Sequence, residues 1–252
     1  MLKRELRKRL FLPLIVSGMA LSGCVSVLPE PQTPEALVRL PTSGFQGASL
    51  PLKTNVVVHI PDAMGAFAGA EIAASENQRI RYIKDVKWAD SPARLLQAAI
   101  VESLTVSDGD GLAVPVQVGA RGDYDLKLSL LDLTVDNSSE QAVCKFRMVI
   151  TRTGDKKIIA SEVVQAIEAV DGRNSVVRAE ALARAIKGAA ENAADLVAKH
   201  SIPYDLVAER DAKRAAKRAK LLKQREESQA EREQEAPESS TDELVEELTP
   251  EI

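Results

Sequence analysis

Apolar residues at every second position, in three consecutive segments, constrain the fold of this chain most strongly. In the first segment, residues 124–135, the alternation runs through Leu126, Leu128 and Leu130 and then slips by one residue at Leu131. A period of two is typical of a strand with one buried face. A slip of one residue within it indicates a β-bulge. We therefore predict a strand over this segment with a bulge near its middle.

The next two segments complete a group of three strands. In residues 141–152, Lys145 and Arg147 point outward, and the inward set is Ala142, Cys144, Phe146, Met148 and Ile150. The turn at 153–155 leads into a third strand over 157–170, in which one face is shared by Ile159, Val163 and Ile167. Short turns between long strands favour an antiparallel meander. Earlier in the chain, shorter strands are predicted at 54–60, 71–75 and 79–83.

Two helices are predicted to pack on these strands. Ser91 followed by Pro92 is a helix start, and the apolar face that follows consists of Leu95, Leu96, Ala99, Ile100, Ser103 and Leu104. A longer helix ends before Pro203, and its alanine-rich stripe, which should lie close against a sheet, consists of Ala179, Leu182, Ile186, Ala189, Ala193, Leu196 and His200. The predicted fold is α+β, an antiparallel or mixed sheet packed by two main helices, with a long charged C-terminal tail.

The amino terminus has the features of a secretory signal peptide. Five basic residues and one acid in the first ten residues precede an apolar run. This run is far shorter than the ~20 apolar residues that span a bilayer. It ends in Leu21-Ser22-Gly23-Cys24, which resembles the bacterial lipobox, so we predict a signal peptide over 1–23 and lipid on Cys24. The alternative is an ordinary cleaved signal with a chance cysteine. Val25, in place of Asp, favours the outer membrane by resemblance to lipoprotein sorting.

The mature chain is predicted to have three parts. Residues 24–52 contain five prolines and two glycines and are predicted to form a lipid-anchored tether. Residues 53–204 form the folded domain. Residues 205–252 form a charged helical or disordered tail, in which Arg210–Arg225 holds eight basic residues and one acid, whereas Glu226–Glu251 holds eleven acids and one base. The alternative for this tail is a basic arm that touches anionic lipid or an acidic partner.

Net charge, aromatic content and cysteine count argue against a nucleic-acid-binding protein and against a fold held by a disulfide. The whole chain carries −4 and the signal peptide +4, so the mature protein carries −8. This charge, with only 3% aromatic residues, argues against nucleic-acid binding. Once Cys24 is lipidated, Cys144 is the only cysteine left, and no intramolecular disulfide can form.

The sequence contains no recognisable catalytic or metal-binding motif. His59 and His200 are far apart and are interpreted as structural or surface residues. Cys144 lies in an apolar strand face and is interpreted as buried and inert, the alternative being a redox-active or intermolecular cysteine. A calcium site at Asp108, Asp110 and Asp123 would lack the usual twelve-residue loop. We therefore predict no catalytic residue, no metal ligand and no cofactor.

The stretch RYIKDVKWADSPARLL, residues 81–96, resembles the ABC-type transport auxiliary lipoprotein family. That family includes the paraquat-inducible lipoproteins of Gram-negative bacteria. The shared features are Tyr82, Trp88 followed by small and acidic residues, Pro92, and a pair of leucines that opens a helix. The chain departs from the family pattern in having no aromatic residue between Val25 and Leu40, and in its longer charged tail.

The resemblance implies a binding protein and not an enzyme. Members are outer-membrane lipoproteins on the periplasmic face that work with an ABC transporter and its MCE-domain protein in intermembrane lipid transport. The chain would dock the MCE-domain protein at the outer membrane, with Tyr82 and Trp88 as candidate interface residues; a core position is the alternative for Trp88. A homo-oligomer would suit a protein that caps a tubular partner. The alternative functions are an envelope scaffold or assembly lipoprotein without a transport partner, or a periplasmic hydrolase.

Overall fold

One mixed sheet organises the part of the chain that the computed structural model describes, residues 33–234. Its nine strands are β1 (Ala36–Val38), β2 (Val56–Val58), β3 (Asp62–Ala63), β4 (Glu71–Glu76), β5 (Arg79–Trp88), β6 (Ala113–Pro115), β7 (Tyr124–Asp136), β8 (Gln141–Arg152) and β9 (Ile158–Ala169). One edge of β7 pairs antiparallel with β8, which pairs antiparallel with β9. The other edge pairs in parallel with β2, β3 and β4 in turn. Beyond β4 lie β5 and then β1, and β6 lies beyond β2.

The predicted meander and its bulge are confirmed in β7 and β8. Leu126 and Leu130 are buried and lie opposite Ile150 and Phe146, and the register shifts between Leu130 and Asp132. The extra residue in β7 keeps Leu133 and Val135 on the buried face although the sequence alternation changes phase there. The inward set predicted for β8 is buried throughout.

The third strand, β9, places its apolar residues on both faces. Val163 and Ile167 are 50% and 49% exposed, whereas Ala160 and Val164 are buried. Ile159 falls where the register with β8 shifts, so it does not share a face regularly with the other two. Both phases of this strand contain apolar residues, and periodicity alone does not show which phase faces the helices. In the structure, the face of β9 with the smaller residues is buried, because the helix Ser175–His200 packs closely against it.

Within residues 33–234 there are three α-helices: one follows β5, and the other two follow β9 in succession. They are α1 (Pro92–Thr105), α2 (Ser175–His200) and α3 (Leu206–Gln234). Helix α1 begins at Pro92 as predicted, but the Ser91 side chain makes no capping bond. Asp90 instead accepts a hydrogen bond from the Ser91 N–H at 2.7 Å. Helix α2 has a side-chain cap, because Asn174 Oδ1 accepts from the Val176 N–H at 2.7 Å.

The alanine-rich face of α2 packs against β8, β9 and α1, as its composition predicts. Nine alanines of this helix are buried, together with Leu182, Ile186 and Val197. A methyl group placed on Gly188 would lie 3.4 Å from the Cβ of Ala166 in β9. Helix and sheet are therefore too close for a large side chain at this position.

The packed part of the chain begins earlier than the sequence analysis places it. Strand β1 lies within the segment assigned to the tether and pairs in parallel with the end of β5, Val38 opposite Trp88. Val38 and Leu52 are buried. The prolines and glycines of this segment suggested an extended spacer. A three-residue strand is too short to show a period, so the sequence pattern did not reveal it. Residues 24–32 lie outside the described residues.

Candidate interaction surface

The first half of β5 presents an exposed strand edge, which we call the β5 surface and define as Arg79, Ile80, Arg81, Tyr82 and Lys84. Ile80 and Tyr82 are 45% and 50% exposed, and the three basic residues are also exposed. β4 covers one edge of this segment. β1 pairs only with Val86–Trp88 further along, so in residues 33–234 no strand covers the other edge of the β5 surface.

Local backbone geometry separates the β5 surface from the buried end of the same strand. Asn77 and Gln78 form the turn from β4 with positive φ angles of 48° and 66°. Asp85 also has a positive φ, 66°, within a break in register between β4 and β5. A residue in this conformation bends a strand and changes the direction of the side chains beyond it. Tyr82, before the break, is therefore exposed, whereas Val86 and Trp88, after it, are buried.

Trp88 is a core residue in this chain, 2% exposed. Its main-chain N–H donates to the Ala70 carbonyl at 2.7 Å, and its strand segment lies between β1 and β4. The structure therefore places the two predicted interface residues differently. Tyr82 is accessible to a partner, and Trp88 supports the strand that presents it. An interface role for either residue remains a prediction.

His59 and Cys144 hold structural positions. His59 Nε2 lies 3.2 Å from Asp125 Oδ1 in a partly buried pair. Burial raises the pKa of the Cys144 thiol well above its usual range, and a protonated, inaccessible thiol is a poor nucleophile. Over residues 33–230, whose side chains the structure describes, no three His, Cys, Asp or Glu side chains lie together in a way that could hold a metal ion.

A cluster around Arg152 is a feature that the sequence analysis missed. Arg152 is only 6% exposed and bridges two carboxylates, with Nη2 2.6 Å from Asp155 Oδ2 and Nη1 2.5 Å from Glu209 Oε1. Its guanidinium also lies 4.7 Å from the ring centroid of Tyr204, which packs edge-on against Tyr124. These contacts hold the pKa of Asp155 down to about 2, and they also lower the pKa of Glu209.

The Arg152 cluster fixes the start of α3 to the end of the sheet. The Tyr124 hydroxyl donates to the Ile202 carbonyl at 2.6 Å, and the Thr54 hydroxyl donates to the Ser201 carbonyl at 2.9 Å. Leu206 lies beside Gly154 of the β8–β9 turn. A methyl group placed on Gly154 would lie only 2.5 Å from Leu206 Cδ1. Tyr204 and Glu209 lie more than fifty residues after Arg152, so only the fold brings them together with it.

The predicted lipid-attachment residue, Cys24, lies outside the described residues. Among the helices of residues 33–234, none combines the length and the apolar character needed to cross a membrane.

Comparisons with known proteins agree with this architecture. The family model of the ABC-type transport auxiliary lipoprotein component matches residues 40–197. Among solved structures, protein XCC0632 from Xanthomonas campestris, of family DUF330, superposes with a TM-score of 0.60 at 14% identity, covering 71% of this chain and 99% of that one. The hypothetical protein CT253 from Chlamydia trachomatis gives a TM-score of 0.42 at 10% identity, covering 59% and 97%. No curated protein sequence matches the chain.

The family match spans β2 to β9, α1 and most of α2, including the β5 surface and the Trp88 region that carries the resemblance in sequence. The similarity to the Xanthomonas protein shows the same fold. This chain belongs to the family of ABC-type transport auxiliary lipoprotein components.

Proposed function

We propose that this protein is lipidated on Cys24 and held at the periplasmic face of the outer membrane, where it docks the MCE-domain protein of an ABC-type lipid transport system. Membership of the auxiliary lipoprotein family supports a role beside an ABC transporter. The lipobox-like sequence at Cys24 supports the anchor, since two or more acyl chains hold a protein stably at a membrane.

The observation that carries the docking proposal is the uncovered edge of the β5 surface. An exposed strand edge can pair with a strand of a partner through main-chain hydrogen bonds. The alternation of apolar Ile80 and Tyr82 with basic Arg79 and Arg81 gives the two faces of this edge different chemistry. Tyr is also enriched among residues that dominate binding energy. The partner would then present an apolar contact on one side and acidic groups on the other.

A pull-down from gently solubilised native membranes tests the docking proposal. The tagged full-length protein is compared with a double variant, Ile80→Ala with Tyr82→Ala. The matched control is Val163→Ala with Ile167→Ala, which removes apolar groups of similar exposure from β9. We expect the wild type and the β9 control to recover an MCE-domain protein, and the β5 variant to lose most of it.

Two other results would contradict the proposal. Recovery of only peptidoglycan-associated or assembly proteins would favour the envelope scaffold. Equal recovery by the β5 variant would place the docking surface elsewhere. The anchor is tested separately by Cys24→Ser, which we expect to release the protein from the outer-membrane fraction of a density gradient.

A further inference from the structure

Helix α3 leaves the domain after its first turn and then runs without a partner in the described residues. Glu209 is held by Arg152, but residues 210–230 are exposed along their whole length. A helix of 29 residues is about 43 Å long at ~1.5 Å per residue. An isolated helix of this kind gains no stability from tertiary packing, so its exposed faces are available for binding.

The first half of α3 presents a concentrated positive charge, which we call the basic face, residues 210–225. Its eight basic residues and one acid give a net charge of +7. Arg210, Arg214 and Lys217 recur at intervals of four and three, so they lie on one side of the helix. The basic face also contains an apolar patch. Leu221 and Leu222 are exposed and, with Arg218 and Arg225, line a shallow depression of about 300 Å³.

We propose that the occupant of the basic face is the chain's own C-terminal segment, residues 235–252. This segment contains seven acids and no basic residue, a charge of −7 against the +7 of the basic face. Its apolar residues Leu244, Val245 and Leu248 lie between acids, just as Leu221 and Leu222 lie between basic residues. The two surfaces are complementary in charge and in apolar content.

The segment is long enough to reach the whole basic face. From residue 234 back to residue 210 the helix measures about 36 Å, at ~1.5 Å per residue. Eighteen extended residues span up to about 60 Å. Because the two surfaces share one chain, each meets the other at an effective concentration in the millimolar range, without any dependence on protein concentration.

The charge order along α3 favours this occupant over an anionic membrane. Glu226 and Glu227 directly follow the basic face, and further acids continue to the end of the chain. A negatively charged lipid surface that attracts the basic face would repel this adjoining region. Docking of the acidic segment would cover the basic face and neutralise it. It would therefore act as an intramolecular latch that an acidic partner must displace.

Pulsed electron–electron spin resonance on the full-length, detergent-solubilised protein tests the latch. Spin labels are attached at Ala216→Cys and Thr249→Cys, and a protein without introduced cysteines checks that buried Cys144 takes up no label. A docked segment gives a short distance, below about 20 Å. An undocked random coil gives a broad distribution centred at ~35 Å. This value combines ~27 Å of helix and a ~20 Å root-mean-square coil length as the square root of the sum of their squares.

We expect a short distance at low salt that is lost in ~1 M salt, where the screening length is about 3 Å. The reversal Lys213→Glu, Lys217→Glu and Lys220→Glu should also abolish it. The same charge change on the β5 surface, Arg79→Glu with Arg81→Glu and Lys84→Glu, should leave it intact. A broad distribution in the wild type, or a short distance that survives the reversal in α3, would overturn the proposal.

Two further outcomes would assign the basic face to another occupant and also overturn the latch. A short distance that disappears on dilution with unlabelled protein would identify a second copy of the chain as the partner. Burial of the Ala216 label in anionic lipid nanodiscs, with a broad tail distance, would identify the membrane.

Discussion

Replacement of Trp88 by Ala should destabilise the domain by about 3–5 kcal/mol. The indole is 2% exposed, between β1 and β4. A buried Trp removes roughly 150–250 Å² from water, and at about 25 cal/mol per Å² this burial contributes roughly 4–6 kcal/mol. Measured costs of Trp→Ala in cores, about 3–5 kcal/mol, agree with this range. A domain with a typical stability of about 5–15 kcal/mol would lose a large part of it.

Urea denaturation followed by circular dichroism measures this loss. Tyr82→Ala is the matched control, because an exposed substitution should change the free energy of unfolding by no more than about 0.5 kcal/mol. Trp88→Phe should fall between the two, since it keeps an aromatic ring. Trp88 is the only tryptophan, so its fluorescence should also shift to longer wavelength when the wild type unfolds.

A cost below about 1 kcal/mol for Trp88→Ala would refute the assignment of Trp88 to the core. Tyr82→Ala and Trp88→Phe together separate the two roles proposed for this region. Tyr82→Ala should lose the partner while keeping its stability, whereas Trp88→Phe should keep the partner with a modest loss of stability.

Three further predictions concern other parts of the fold. Asn174→Ala should cost about 1 kcal/mol in urea denaturation by removing the α2 cap, with Asn174→Asp close to the wild type. The Arg152–Asp155 pair depresses the pKa of Asp155 to about 2, so its contribution to stability is present above about pH 4 and is lost as the pH falls towards 2; the stability gap between the wild type and Asp155→Asn should close over that range in acid denaturation. Cys144 should resist maleimide in the folded protein and react only on unfolding, and fast labelling at neutral pH would contradict its burial.

Local patterns predicted the central strands well because one face of each is buried and the other is polar. The change of phase at Leu131 even predicted the bulge in β7, because a slip of one residue in the alternation requires one extra residue in the strand. The same reasoning did not give the inward face of β9, where Val163 and Val164 are both apolar and only the closeness of α2 decides between them. The three residues of β1 are too few to show a period at all.

The candidate site was predictable only in part. Tyr82 and Trp88 are six residues apart in one strand, and no sequence rule shows that a left-handed residue, Asp85, separates an exposed half from a buried half. The Arg152 cluster depends on residues more than fifty positions apart, which the sheet and the end of α2 bring together. The charge segregation in α3 was visible in the sequence, whereas its continuous helical form was one of two predicted alternatives.

Site-specific photo-crosslinking in living cells tests the docking proposal most directly. A photoreactive phenylalanine analogue replaces Tyr82 in the full-length lipoprotein, and the same analogue at Val163 serves as the control of equal exposure. We expect a crosslink from position 82, but not from position 163, to an MCE-domain protein. A crosslink from position 163 alone, or from neither position while the two proteins still co-purify, would contradict docking through the β5 surface.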